Sequence, residues 1–238
     1  MIITMTAIIR PRIFERTMLS LKKYLVSKEE IKLILNIDPV GVDGTKKDIL
    51  NIAKKYFKNI DCTMTKKPSF EAACINIWSK VDEDYMLHWE DDCELLIPIK
   101  LDKISKLMES YPVIVSFRFS DISLPSNLTE IYYSPSDYID DGEFRFHVSS
   151  NSSKHFGTGP SFIQTNFIKE ALPLLTLERN LEKQFRAGTK ACDMKRLLTK
   201  SRIAWCVSET PVWRELGVVW RKKNNIKKIN DGSPLRYK

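Results

Sequence analysis

Glu90-Asp91-Asp92 is the densest concentration of chemistry in the chain. Three adjacent carboxyls repel one another, and these stand where one apolar run, Tyr85 to Trp89, ends and a second, Leu95 to Ile97, soon begins. The first run is entered from the polar turn Val81-Asp82-Glu83-Asp84 and predicts a short buried strand. Acids at the exit of such a strand sit at the carboxyl edge of a sheet, where open α/β folds keep their ligand sites. A hard divalent cation, Mg²⁺ or Mn²⁺, would relieve the repulsion by taking carboxylate oxygens and sharing itself with a ligand's phosphates. A solvated acidic turn is the alternative, and the triplet alone does not choose.

Other residues offer chemistry with a structural alternative beside each. Arg10 and Arg12 flank Pro11 and read as contacts to a pyrophosphate or base edge, or as surface charges. Asp38, in Asn36-Ile37-Asp38-Pro39-Val40-Gly41, is either a functional carboxylate at a strand end or a residue that merely shapes an Asp-Pro turn. Asn76 faces either a ribose or solvent. His88 lies inside the apolar strand and reads as a satisfied core residue; His147 and His155 have no metal-ligand spacing. Trp205 reads as core, whereas Trp213 and Trp220 could stack on a sugar or base. They interleave with Arg214, Arg221, Lys222, Lys223, Lys227 and Lys228, a texture that suits a nucleic-acid acceptor or a mobile basic lid.

The elements that must position these groups follow from periodicity. Ile2 to Ile9 predicts a buried strand, and Phe14, Met18, Leu21 and Leu25 a helix. A strand over Ile31 to Ile37, a helix over Asp48 to Phe57, a short strand over Ile60 to Thr63 and a helix marked by Phe70, Ala73, Cys74, Ile77 and Val81 lead to the acidic strand. This β-α-β-α-(β)-α-β order predicts a mostly parallel central sheet flanked by helices. Beyond it come a helix through Leu101, Ile104, Leu107 and Met108, a strand over Val113 to Phe119, and an alternating strand over Glu143 to Val148. Ser149 to Ser153 reads as a polar linker, and Thr165 as the cap of a helix over Asn166 to Leu172. Leu177, Leu181 and Phe185 predict a helix that brings Glu178 and Glu182 together. Asp193 to Lys200 continues helical, Ile203 to Val207 is a last strand, and the end from Trp213 is basic.

At 238 residues the chain can bury one substantial core. Its apolar stretches are too short to cross a bilayer, and no signal peptide is visible, so an intracellular, cytoplasmic protein without an integral membrane segment is expected. Five scattered cysteines without a CxxC pair argue against a disulfide framework and a structural zinc site. The net charge of +8 favours anionic partners without choosing among nucleotides, nucleic acid and anionic surfaces.

Taken in order, these motifs resemble nucleotide-sugar-dependent glycosyltransferases of the GT-A fold, family 2-like. The carriers are Thr6-Ala7-Ile8 followed by arginines, Glu15-Arg16-Thr17 on the first helix, Asp38, Glu90-Asp91-Asp92, Gly159-Pro160-Ser161, Glu182 and the tail from Ser208-Glu209-Thr210-Pro211 through Leu216-Gly217 to Trp220-Arg221-Lys222-Lys223. The resemblance implies one domain, with a donor half over 1–97 and an acceptor half and basic lid over 98–238. It implies a UDP-sugar donor held by Thr6, Ile8, Arg10, Asp38, Asn76, Glu90, Asp91 and Arg221. Asp92, with Glu90, would hold Mn²⁺ or Mg²⁺, although the family's first acid is usually Asp; Asp91 would point away or orient the turn. Glu182 is the implied general base of an inverting transfer, with Glu178 in reserve. The acceptor would be a glycan hydroxyl or a hydroxylated base in DNA. A metal-dependent nucleotidyltransferase and a non-enzymatic nucleic-acid-binding module are the competing classes; the first usually has a glycine-rich loop that Arg10-Pro11-Arg12 lacks, and the second leaves the acidic strand end unexplained.

Overall fold

A computed structural model describes residues 1–121, 133–149, 156–185, 192–208 and 210–226, with two short strands at 228–229 and 236–237. The first half runs β1 (Ile2–Ala7), α1 (Pro11–Tyr24), β2 (Leu25–Val26), β3 (Lys32–Ile37), α2 (Lys46–Tyr56), β4 (Asn59–Met64), α3 (Phe70–Ser79) and β5 (Tyr85–Glu90). β6 (Cys93–Leu95), β7 (Ile99–Lys100), α4 (Leu101–Ser110), β8 (Ile114–Arg118), β9 (Tyr133–Asp140), β10 (Arg145–Ser149) and β11 (Ser161–Gln164) follow. The remainder is α5 (Thr165–Ala171), α6 (Leu181–Gln184), α7 (Cys192–Thr199), β12 (Arg202–Val207), β13 (Trp213–Glu215), α8 (Gly217–Lys223), β14 (Lys228–Ile229) and β15 (Arg236–Tyr237).

Among the described residues the central sheet has nine strands in the order β4-β3-β1-β5-β11-β8-β12-β10-β9. It is parallel from β4 to β5, as the repeated β-α units require. Beyond β5 it is mixed rather than mostly parallel, because β11 enters antiparallel between β5 and β8, and β10 and β9 also run antiparallel. Alternate residues of each strand feed two cores. Ile3, Met5, Leu87 and Trp89 pack with Phe14, Met18 and Leu21 of α1, Ile49 and Ile52 of α2 and Ile104 of α4. Ile2, Ile34 and Met86 face Cys74, Ile77 and Trp78 of α3, Phe167 and Ile168 of α5 and Met194 of α7. Helices on both faces leave the carboxyl ends of β1, β3 and β5 on one edge.

Two helix expectations fail. The helix marked by Leu177, Leu181 and Phe185 begins only after Asn180, whose side chain caps it by accepting from Lys183 N, so Glu178 lies in an exposed turn and not one helical turn before Glu182. Thr165 is the first residue of α5 rather than its cap. The Ser150–Ser153 linker, His155, Glu209 and Lys227 lie outside the described residues. No helix among those described is long and apolar enough to cross a membrane.

Candidate active site at the carboxyl ends of β1, β3 and β5

The loops leaving β1 and β3 are clasped together. Ile9 N donates to Val40 O at 2.6 Å, and Gly41 turns with φ of 121°. A β-carbon on Gly41 would fall 2.0 Å from the Ile9 carbonyl oxygen, so both the conformation and the contact demand glycine. Asp38 is buried at the end of β3 and accepts from Asn36 Nδ2 (2.9 Å), Thr65 Oγ1 (2.5 Å) and Ser69 N (3.0 Å). Burial raises its carboxyl above the usual range, and these donors pull against that rise. Asn76 donates to Asn36 Oδ1 at 3.3 Å, is half-buried and does not line the cavity.

The acidic triplet at the end of β5 divides its labour. Asp91 turns inward, accepting from Ile8 N (3.2 Å) and from Arg10 Nε and Nη2 at 2.8 and 2.6 Å. It therefore fastens the exit of β5 to the exit of β1, the turn-orienting role. Arg10 is 4% exposed, so the surface-charge reading of this residue is wrong. Its Nη1 lies 2.9 Å from Asp92 Oδ2. Glu90 is half-buried at the last position of β5. Burial, then the neighbouring carboxylates, push the Cys93 thiol well above its ordinary value.

The chain returns to this edge near its C-terminus. β13 pairs with β6, opposing Trp213 to Leu95 and Glu215 to Cys93, and the Trp213 indole donates to Phe119 O at 2.8 Å. Leu216 N donates to the Asp92 backbone oxygen at 2.8 Å. A β-carbon on Gly217 would fall 1.9 Å from Asp92 Oδ2 and 2.5 Å from Arg10 Nη1. Trp220 donates to Asp43 Oδ2 at 2.5 Å, and the Arg10 guanidinium lies 5.7 Å from its ring centre. Arg221 Nη1 sits 3.6 Å from Asp92 Oδ2, while its Nη2 donates to Glu215 at 2.6 Å.

These groups enclose a cavity of about 90 Å³. Thr6, Ile8, Arg10, Asp38, Glu90, Asp91, Asp92 and Arg221, all singled out in the sequence, line it together. Asn76 and Glu182 do not. Glu182 accepts from Thr158 N and Oγ1 at 3.1 and 3.0 Å. Because Ser161 opposes His88 in the β11–β5 pair, residues before 161 run past the end of β5 on the side of Glu90. Burial, and then the charges of Glu90, Glu71, Asp38 and Glu182, push the Cys74 thiol well above its ordinary value. His88 is core, as expected: Nδ1 accepts from the Trp78 indole at 3.2 Å, and burial lowers its affinity for a proton to a pKa of about 3. Trp213, whose ring the sequence marks for stacking on a sugar or base, also lines the cavity with Ala7, Phe70, Cys93 and Glu215, and Gly217 shapes it; nothing in the sequence signalled Phe70 or Glu215 as lining.

Glu90, Asp92 and Cys93 offer donor atoms all within 4.8 Å of one another. Cys93 is the soft donor of the three, which a hard cation does not favour, and that leaves two carboxylates. An oxygen-only pair suits Mg²⁺ or Mn²⁺ rather than zinc. One Asp92 oxygen already faces two guanidinium groups. Arginines and a carboxylate pair on one wall are a diphosphate-binding chemistry.

No family model and no curated protein matches the sequence. Solved structures match in fold. The crystal structure of residues 1–349 of S. aureus TarS gives a TM-score of 0.54 at 9% identity, covering 90% of this chain and 60% of that one. The same fragment in complex with UDP-GlcNAc gives 0.52 at 10% identity, covering 90% and 58%. A longer TarS chain gives 0.53 at 10% identity over 90% of this chain and 36% of its own length. This chain thus spans about 60% of the shorter TarS fragment. The fold here is the same GT-A-like α/β architecture, a large mixed sheet flanked by helices.

Proposed function

We propose that this chain, sharing its fold with a protein crystallised with UDP-GlcNAc, is a metal-dependent glycosyltransferase that moves a sugar from a nucleoside diphosphate donor, a UDP-sugar, to a glycan hydroxyl. The observation that carries the reading is convergence: the exits of β1, β3 and β5 bring Thr6, Ile8, Arg10, Asp38, Glu90, Asp91 and Asp92 to one wall, and Arg221 of α8 joins them. Residues 1–97 would form the donor half and 98–238 the acceptor half and lid.

The donor's diphosphate gains negative charge as its bond to the anomeric carbon breaks. Glu90 and Asp92 would hold a Mn²⁺ or Mg²⁺, which when bound would supply Lewis-acid stabilisation of that leaving group. Arg10, fixed by Asp91 and directed at the same wall, adds fixed positive charge. Asp38, immobilised by three donors, would receive the base or ribose without reorganising. Glu182 would take the proton from the acceptor hydroxyl as its oxygen attacks the anomeric carbon, giving inversion. Thr158 holds one carboxylate oxygen of Glu182 in place for that step.

A thermal-shift panel of UDP, GDP and CDP, with and without Mn²⁺, tests the reading. A ligand at one hundred times its Kd adds about 2.7 kcal/mol, roughly 5–10 °C for a chain of this size. UDP with Mn²⁺ should shift the protein most, and no shift with any nucleotide would refute donor binding. Salt-sensitive binding to duplex DNA would instead favour a hydroxylated-base acceptor.

A further inference from the structure

In α8 the residues Gly217, Trp220 and Arg221, with Asn224 just beyond, recur at helical spacing and face the site, whereas Val218, Val219, Lys222 and Lys223 are exposed. None of the helix's residues belongs to either apolar core. What holds it, among the described residues, is mainly polar and steric: Leu216 on the Asp92 backbone, the buried Trp220 indole on Asp43 and against the Arg10 guanidinium, Gly217 against Asp92, and Arg221 beside the Asp92 carboxylate. Elements held this way open at low free energy.

The helix also limits the room. The cavity of about 90 Å³ is far below the roughly 300–1,000 Å³ of small-molecule sites. A second cavity of about 320 Å³, lined by Arg10, Arg12, Asp43, Trp220 and Lys223, lies on the other side of Arg10. Arg221 borders the first cavity and Trp220 the second, so α8 stands between them.

Of the two cations on Asp92, only one can leave readily. Arg10 is fixed by two parallel bonds to Asp91 and is almost wholly buried. Arg221 reaches Asp92 only at 3.6 Å, its side chain is 14% exposed, and Glu215 can keep it when it moves. We propose that Arg221 occupies the Asp92 carboxylate until a divalent cation displaces it, so that metal binding and release of α8 are one coupled equilibrium. This rests on the reading of Glu90 and Asp92 as metal ligands. A cation on that carboxylate repels the guanidinium and so binds better when the helix is out, which by reciprocity means that the metal drives the helix out.

The test is hydrogen exchange of the full chain with and without Mn²⁺, alongside calorimetric Mn²⁺ titration of wild type, Arg221→Ala, Arg221→Lys and Arg214→Ala. Arg214 pairs with the exposed side of Glu94 and removes the same charge from the neighbourhood without touching Asp92. Mn²⁺ should speed exchange over residues 216–224 of the wild type. Arg221→Ala should bind Mn²⁺ on the order of fivefold more tightly, with Arg221→Lys between and Arg214→Ala at the wild-type value. Equal Mn²⁺ affinity in all four proteins with unchanged exchange would overturn the coupling and leave the metal site standing. An absence of Mn²⁺ binding in every variant, Arg221→Ala included, would overturn the metal site and the coupling together.

Discussion

Arg10 and Asp91 stand 81 residues apart in sequence and meet through two parallel hydrogen bonds of 2.6 and 2.8 Å, both side chains buried. The pair joins the loop after β1 to the loop after β5 and so fixes the wall on which every other site residue is arranged. Removing one partner strands a buried charge. Arg10→Ala should therefore lose about 3–5 kcal/mol in urea denaturation. Arg10→Lys keeps the charge but cannot make both bonds, and should fall between. Wild-type stability in Arg10→Ala would show that the pair holds nothing together.

Gly217→Ala tests the close approach of α8 to Asp92. A methyl group cannot sit 1.9 Å from a carboxylate oxygen, so the helix must shift outward. The cost should be modest, about 1–3 kcal/mol, because the yielding element is peripheral. Limited proteolysis should cut near residues 216–224 faster in the variant than in the wild type; equal rates would mean that α8 does not depend on that contact.

His88 predicts a pH dependence. An ordinary histidine protonates near 6.5, whereas His88 stays neutral in the folded protein down to about 3. Between those values the unfolded chain binds a proton that the folded chain does not. Stability should fall as pH drops from about 6.5 towards 3, by up to about 1.4 kcal/mol per unit. Asp38 works the other way: its carboxyl is raised by burial, so its share of stability is lost as pH rises through the carboxylate range. His88→Asn, which keeps an acceptor for the Trp78 indole, should flatten the slope between pH 6 and 4 by about one proton. An unchanged slope would remove His88 as its source.

Glu182→Gln separates the two halves of the proposed chemistry. The amide keeps an acceptor for Thr158 but cannot take a proton. Turnover should drop by about 10²–10⁴-fold while UDP binding stays at the wild-type value. Full turnover would exclude Glu182 as the base and point to a retaining reaction or another group.

Much of this wall was legible because its signals are local. Asp38 before proline and the acidic triplet after an apolar strand each declare a strand end within a few residues. Long-range partners did not declare themselves. Nothing near Arg10 says that it is buried against Asp91, since that pairing depends on β1 and β5 being neighbours. The insertion of β11 was equally hidden, because Phe162 and Ile163 form so short an apolar segment that only the fold selects their partners. The Leu177-Leu181-Phe185 spacing misled, because Leu177 is 53% exposed and the Asn180 cap starts the helix later. In the tail, charge masked the inward pattern of Gly217, Trp220 and Arg221.

The most direct test is calorimetric titration of UDP, with and without Mn²⁺, into wild type, Glu90→Gln and Asp92→Asn, each first checked for a cooperative melt. Two carboxylates that hold a cation against a diphosphate require Mn²⁺ to tighten UDP binding in the wild type, on the order of tenfold or more, and to lose that effect in both variants. Mn²⁺-independent UDP binding that both substitutions leave untouched would contradict the account.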